Sequence, residues 1–564
     1  MLMRLPLLLC CLLALLPSAV FAQAEAAPAV GDPAIVREFG RSGEPGSFRA
    51  RFSRYGAGLV ALQLMDHYAS LEAARRSIHV PDDYLLLAWN GSDHGLRLLG
   101  NGVDPRLPVD LGSTAWAYTE LSDGVQFQLA PGQGLELVKT LRHDPAERGF
   151  RLTIELRNTG TEPGGRLALQ LLAPALVSRT ESMFIGNSSL AIAATTAGDV
   201  KHVGVAAGTT QLLEVDLATL SFAGNTNRFF GAFLSPADAA TAAALTGLYV
   251  DTVPPQNDTI SGTSANTVAR LRMGLSLVVP PRDASTRLEF ALYLGPKSYP
   301  AFAGLREPGR LAPILDVDLN PPCCIDVPGG REMAKLLLWL LGIFHGLLGN
   351  WGAAIVLLTI LVRGALAPLN FHMQKSMRAY GSRMAVLKPK LDALKTRYAD
   401  DPKAYQQAMV AFQRENKLFP PVGGCLPILL TMPIYLGLFS ALRTAYELRQ
   451  QPFLFWIEDL SRADALVPGL LFGWDLNLLP LLWIGLYLLM VLRQPLPSDP
   501  QARQMQSIMR WMPVLIGVTL YGYAAALLIY MVTSMVWSLF ESAMIKKILG
   551  PVDPNVAAMT PTPM

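Results

Sequence analysis

Apolar residues follow two different periods along this chain, and the change of period divides it. From residue 46 to 325 they alternate with polar ones over short runs. Leu152, Ile154 and Leu156 do so, as do Val125, Phe127 and Leu129, and again Leu288, Phe290, Leu292 and Leu294. A period of two, with Gly, Asn, Asp and Pro between the runs, predicts strands with one buried face. Many such runs predict a β-sandwich large enough for its own core. No Ser-His-Asp order, readable carboxylate pair or phosphate loop stands out there, so binding or spacing is expected rather than catalysis.

Past residue 330 the apolar runs lengthen to helical dimensions. Residues 332–349 predict an interfacial amphipathic helix, with Lys335 and His345 facing water and Trp339 at headgroup depth. Residues 350–369, 424–442, 476–493, 511–524 and 526–545 predict five membrane crossings. Between them lie a basic helical hairpin (371–419, with Asp401-Pro402 opening its second helix), an acidic loop (443–475) and a short loop (494–510). A tail follows at 546–564. Residues 1–22 carry Arg4, an apolar run from Leu5 to Leu16, and small residues Val20 and Ala22. They fit a signal peptide cut before Gln23, or an uncleaved signal anchor, ahead of a flexible leader at 23–45.

Charge orients these elements. In 371–419 basic residues outnumber acidic ones, and the later crossings end at Arg493 and Lys546-Lys547 on the same side. The positive-inside rule puts those ends in the cytoplasm and the β domain outside. The five cysteines have no disulfide or zinc spacing and the seven histidines are scattered, so no metal is assigned. Within the first crossing stands Arg363, one turn beyond Thr359. An arginine at mid-bilayer costs about 2.5–3.5 kcal/mol on insertion scales. It either snorkels to the surface just past Pro368 or lines a hydrated groove with Thr359 and the polar residues of the last two crossings, Thr519, Tyr521, Tyr530, Thr533, Ser534 and Ser538. An anion transporter or channel is the rival reading of such a residue, but it predicts repeated halves, and none is legible. An exported carbohydrate-binding protein with a membrane anchor would need one crossing, not five.

In order and spacing, several short stretches resemble the YidC membrane protein insertases. They are the run from His345 to Gly352, Thr359 with Arg363, Pro368 and Leu369, and Leu387 to Lys390. Gly423 to Pro427, Met432 to Ile434, Pro452 to Leu454, Asp459-Leu460, Asp499-Pro500, Met512-Pro513 and Leu294 to Lys297 complete the set. The resemblance implies a periplasmic β-supersandwich, five core helices and a groove open to cytoplasm and lipid in the bacterial inner membrane. It implies a groove of Arg363, Thr359, Thr431, Thr519, Tyr530 and Ser534. It also implies a recruiting hairpin with Lys388, Lys390, Lys395 and Arg397. The implied partners are nascent membrane proteins, the Sec translocon, the ribosome at the cytoplasmic loops and tail, and the lipid bilayer, without sequence recognition of nucleic acid. Neither cofactor nor covalent chemistry is implied, so the chain is not expected to be an enzyme. It departs from the family pattern at Thr431, often Gln, and at Met531 and Met535, where a second aromatic and Asn are common.

Overall fold

The computed structural model describes residues 34–89, 95–100, 106–107, 109–160, 164–176, 190–203, 209–253, 268–319, 329–398, 401–416, 426–471, 474–492, 511–512 and 514–550. The signal or anchor at 1–22, the leader through residue 33, the adjacent Cys323 and Cys324, the whole 494–510 loop and the tail beyond 550 lie outside the described residues.

The alternating runs form strands. Gly149–Asn158 buries every second residue, Phe150, Leu152, Ile154 and Leu156, and pairs with Leu135–Asp144 on one side and Ser285–Pro296 on the other. These are central strands of a nine-stranded antiparallel sheet running in space from Val200–Val203 to Ala117–Glu120. One face packs against two smaller sheets. The first joins four consecutive strands between Ile35 and Trp89; the second centres on Val268–Val278, flanked by Arg166–Leu172 and Leu245–Val253. Phe48 and Phe52, Phe150 and Ile154, and Leu271 and Met273 share the resulting core, one pair from each sheet. The opposite face, with Phe222, Phe233 and Tyr293, is covered by two short helices, Tyr299–Ala303 and Ala312–Asp318. Residues from all three sheets thus exclude water from a single interior, which is the main stabilising term for such a fold.

That interior also holds a lysine. Lys139 has no exposed surface, and its Nζ donates to the carbonyls of Ala57, at 2.6 Å, and Leu96. Both acceptor residues sit at positive φ, 49° and 58°. The amine thereby ties down two turns in a conformation that costs a side-chain-bearing residue about 1–2 kcal/mol. Burial pushes Lys139 down to about 7, against about 10.4 in an unfolded chain. Between those values the unfolded chain holds a proton that the folded one lacks, so stability should rise with pH. Lys139→Met should flatten a rise of up to a few kcal/mol between about pH 7 and 10, read from chemical unfolding of the full chain at several pH values. Parallel pH profiles for the two proteins would contradict it.

The second half is helical. α1 (Gly330–Leu348) is followed by α2 (Trp351–Arg397), α3 (Pro402–Glu415), α4 (Leu426–Thr444), α5 (Leu478–Leu492) and α6 (Ala525–Leu549). By length and composition, Trp351–Ser376 and Ala525–Leu549 can cross a bilayer, and Leu478–Leu492 is apolar but shorter. α1 is amphipathic. Ala334, Leu337 and Leu341 are buried, whereas Leu336, Trp339, Ile343 and Leu347 form an exposed apolar stripe, Trp339 at 63% and Leu347 at 74%. Its polar residues are less free than a water-facing role suggests. Lys335 pairs with Asp316 at 2.8 Å, and the His345 ring stacks on Trp351 at 4.0 Å. α1 and α4 cross at Gly437, where an added Cβ would lie 2.9 Å from the Gly330 carbonyl, so only glycine permits that approach.

Helix ends are satisfied by recognisable partners. Asn350 caps α2 and Asp401 caps α3, each through a side-chain oxygen on N-terminal amides. α2 does not stop at the proline expected to end the crossing. It continues through Pro368 and Pro389 to Arg397, and the Pro368 carbonyl lies 2.8 Å from His372 Nδ1. Proline removes one helical donor and kinks a helix, but flanking turns can carry it through.

Candidate functional site

α2, α4, α5 and α6 line an open cavity of about 300 Å³. Arg363 comes from α2, Tyr435, Leu436 and Phe439 from α4, and Trp483 from α5. α6 contributes Leu527, Tyr530, Met531, Ser534 and Met535. The spacing on α6 explains its share: 527, 530, 531, 534 and 535 repeat every three or four residues and so project from one face. The lining is apolar and aromatic apart from the guanidinium, one serine hydroxyl and two tyrosines.

Arg363 is half-buried, with its guanidinium 5.2 Å from the centre of the Tyr435 ring. A cation over an aromatic face gains about 0.5–2 kcal/mol depending on desolvation. Its Nε is buried without a hydrogen-bond partner, and among the described residues no carboxylate lies within ion-pair distance. Ser534 is also buried, and its Oγ has no partner either. Buried polar groups in proteins are normally paired. The unmet guanidinium nitrogen therefore leaves a cation available to a guest, with the Ser534 hydroxyl close to that of Tyr530.

The structure sorts the predicted positions. Arg363, Tyr530 and Ser534 meet at the cavity. Thr359 is 1% exposed and donates to the Ile355 carbonyl at 2.7 Å. Thr519 likewise bonds the Ile516 carbonyl, and Ser538 that of Ser534. A hydroxyl bonded to its own helix needs no other partner, and neither threonine is among the lining residues. Lys390 and Arg397 are exposed on the distal part of α2. Thr431, Lys388 and Lys395 belong to helices, but their side chains lie outside the described residues.

Sequence reasoning missed the aromatic lining groups Tyr435, Phe439 and Trp483, which read as ordinary apolar-run aromatics. It also missed how the acidic loop is used. Asp464 accepts from the amides of Leu478 and Leu479 at 2.8 and 3.1 Å, and from the Trp456 indole, so it caps α5. α6 lacks a side-chain cap, and its first amides donate to the carbonyls of Arg462 and Leu460. The loop between α4 and α5 therefore fixes where the cavity-forming helices begin.

The loop is tied to the β domain as well. Arg228 donates to the carbonyls of Arg443 and Ser461, the latter at 3.2 Å. Arg449 and Gln450 both donate to the Tyr68 carbonyl, at 2.8 and 2.9 Å. Tyr446 packs against Phe230 and His67, each at 5.8 Å between ring centres. Burial next to Arg443 lowers Arg228 to about 9, which leaves it charged at neutral pH.

Residues 343–551 match the family model described as 60Kd inner membrane protein. A membrane protein insertase YidC of Pseudoalteromonas atlantica is 35% identical over 299 residues, 52% of this chain and 49% of that protein. The corresponding protein of Neisseria meningitidis serogroup C is 33% identical over 279 residues, 50% and 44% of the two chains. The chain spans about half the length of the curated relatives it matches. A crystal structure of an active YidC insertase aligns over 95% of this chain and 98% of its own, with 17% identity and a TM-score of 0.33. The chain is thus similar to the YidC membrane protein insertases, and the family model matches within its helical half.

Proposed function

We propose that this chain is a membrane protein insertase and chaperone of the bacterial inner membrane. Its substrates are nascent membrane proteins, received from the cytoplasm and released into the bilayer, alone or beside the Sec translocon. The observation that carries this reading is Arg363, a cation without an ionic partner among the described residues, set in an otherwise apolar cavity. A positive charge in low dielectric attracts an acidic segment more strongly than it would in water. A polar tail held there has less hydrocarbon to cross, where each unsatisfied backbone group costs several kcal/mol. No bond is made or broken, so no catalytic residue is needed.

In this reading 350–369, 424–442, 476–493, 511–524 and 526–545 are the five crossings, and the β domain lies in the periplasm. The groove is Arg363 with Tyr530 and Ser534, Thr431 is assigned to it by the family pattern alone, and Thr359 and Thr519, each bonded to its own helix, support the helices beside it. Lys388, Lys390, Lys395 and Arg397 receive the incoming chain on the cytoplasmic hairpin, where basic residues also suit anionic lipid and the ribosome. The test is insertion of a single-span protein with a short acidic tail into liposomes holding the purified chain, scored by protease protection. Protection several-fold above empty liposomes is expected. Equal protection would overturn insertion by the chain alone.

A further inference from the structure

The mechanism above leaves a buried charge of α6 unused. Glu541 is the only acidic residue of α6, is 5% exposed, and lies inside a helix apolar enough to cross the membrane. Its Oε2 accepts from Asn370 Nδ2 at 3.5 Å, and its Oε1 is buried with no partner. Asn370 follows Arg363 by seven residues on α2, and Glu541 follows Ser534 by seven on α6, so each pair shares a helical face. Arg363 Nε, Ser534 Oγ, Trp537 Nε1 and Glu541 Oε1 are all buried and unpartnered, and all four belong to α2 and α6. Such an alignment is costly in a membrane, where ionisable groups normally serve a function.

We propose that Glu541 is a specificity-determining residue of the groove. Its carboxylate, held by Asn370 about 10 Å along the seam from Arg363, offsets part of the arginine's positive potential. The groove then favours a translocated segment with one acidic group over a segment with several. The first carboxylate is attracted to Arg363, and each further one is repelled by Glu541. No contact with the guest is required, because Coulomb interactions act over this distance in a low-dielectric site. The preference rests on the insertase reading, whereas the coupling of Glu541 to the groove does not.

Glu541→Gln keeps the shape and an oxygen for Asn370 but removes the charge. Insertion of tails with one and with three aspartates is compared in wild type and variant. The three-to-one ratio should rise about fivefold or more in the variant, with one-aspartate insertion within twofold of wild type. A second readout needs no substrate. Ser534→Cys, in a background whose native cysteines are serine, reports the local potential through the pH dependence of its alkylation. Its thiol pKa should fall by about one unit when Glu541→Gln is added. An unchanged ratio overturns the preference, and an unchanged thiol overturns the coupling. A chain that inserts nothing yet shows the thiol shift would overturn the insertase reading and the preference with it, with the coupling intact.

Discussion

Arg363→Ala should reduce insertion of an acidic-tailed substrate at least tenfold, while Arg363→Lys should retain most of it. A carboxylate about 4–5 Å from the guanidinium gains about 3–4 kcal/mol at an effective dielectric of 20. Even if half of that is lost to desolvation, its removal exceeds a factor of ten. Lysine keeps the charge but loses the planar fork and part of the contact with Tyr435, so a modest loss is expected. A substrate with an uncharged tail should change little in either variant. Alanine matching wild type on the acidic substrate would remove Arg363 from the mechanism.

Stability separates this role from a structural one. Among the described residues Arg363 makes no ion pair, and its Nε is an unmet donor. Alanine removes a buried polar group that is not repaid by hydrogen bonds. Losing the contact with the Tyr435 ring offsets that gain, so thermal unfolding in detergent should be little changed while insertion falls. An arginine kept for packing would produce the opposite pair of results.

The parts of the fold that were legible are those governed by period and by insertion cost. Leu152, Ile154 and Leu156 lie on one buried face because alternation and pleat share a period. Arg363 was legible because a guanidinium is expensive within an apolar run. The hydroxyls were not sorted, since whether Thr359 or Ser534 points to its own helix or into a cavity depends on rotamer and neighbours. Pro368 was a plausible stop that the continuing helix overrode. Glu541 was passed over because it stands close to Lys546 and Lys547, where a charge reads as interfacial. Its spacing of seven from Ser534 was the available signal. The use of the acidic loop was hidden for another reason. Asp464 meets amides, and Arg228 meets carbonyls, of residues distant in sequence, and backbone partners leave no mark on composition.

Arg228→Met should release the β domain from the α4–α5 loop. The methionine fills much of the volume but has no donors, so the carbonyls of Arg443 and Ser461 lose their partner. Each buried group left unpaired costs about 1–3 kcal/mol. Together they should lower hydrogen-exchange protection of residues 443–462 by about a hundredfold. Arg449 and Gln450 remain on Tyr68, so the interface should loosen at the Arg443–Ser461 end first. Arg228→Lys offers a single ammonium in place of a fork that spans two acceptors, and an intermediate loss follows. Because the same loop supplies the carbonyls of Leu460 and Arg462 to the first turn of α6, loosening should reach Ala525 and Ala526 as well. Increased exchange at those two amides, with the strands of the β domain still protected, would show that this joint positions the groove. Unchanged exchange at 443–462 would show that the aromatic contacts of Tyr446 hold the joint without Arg228.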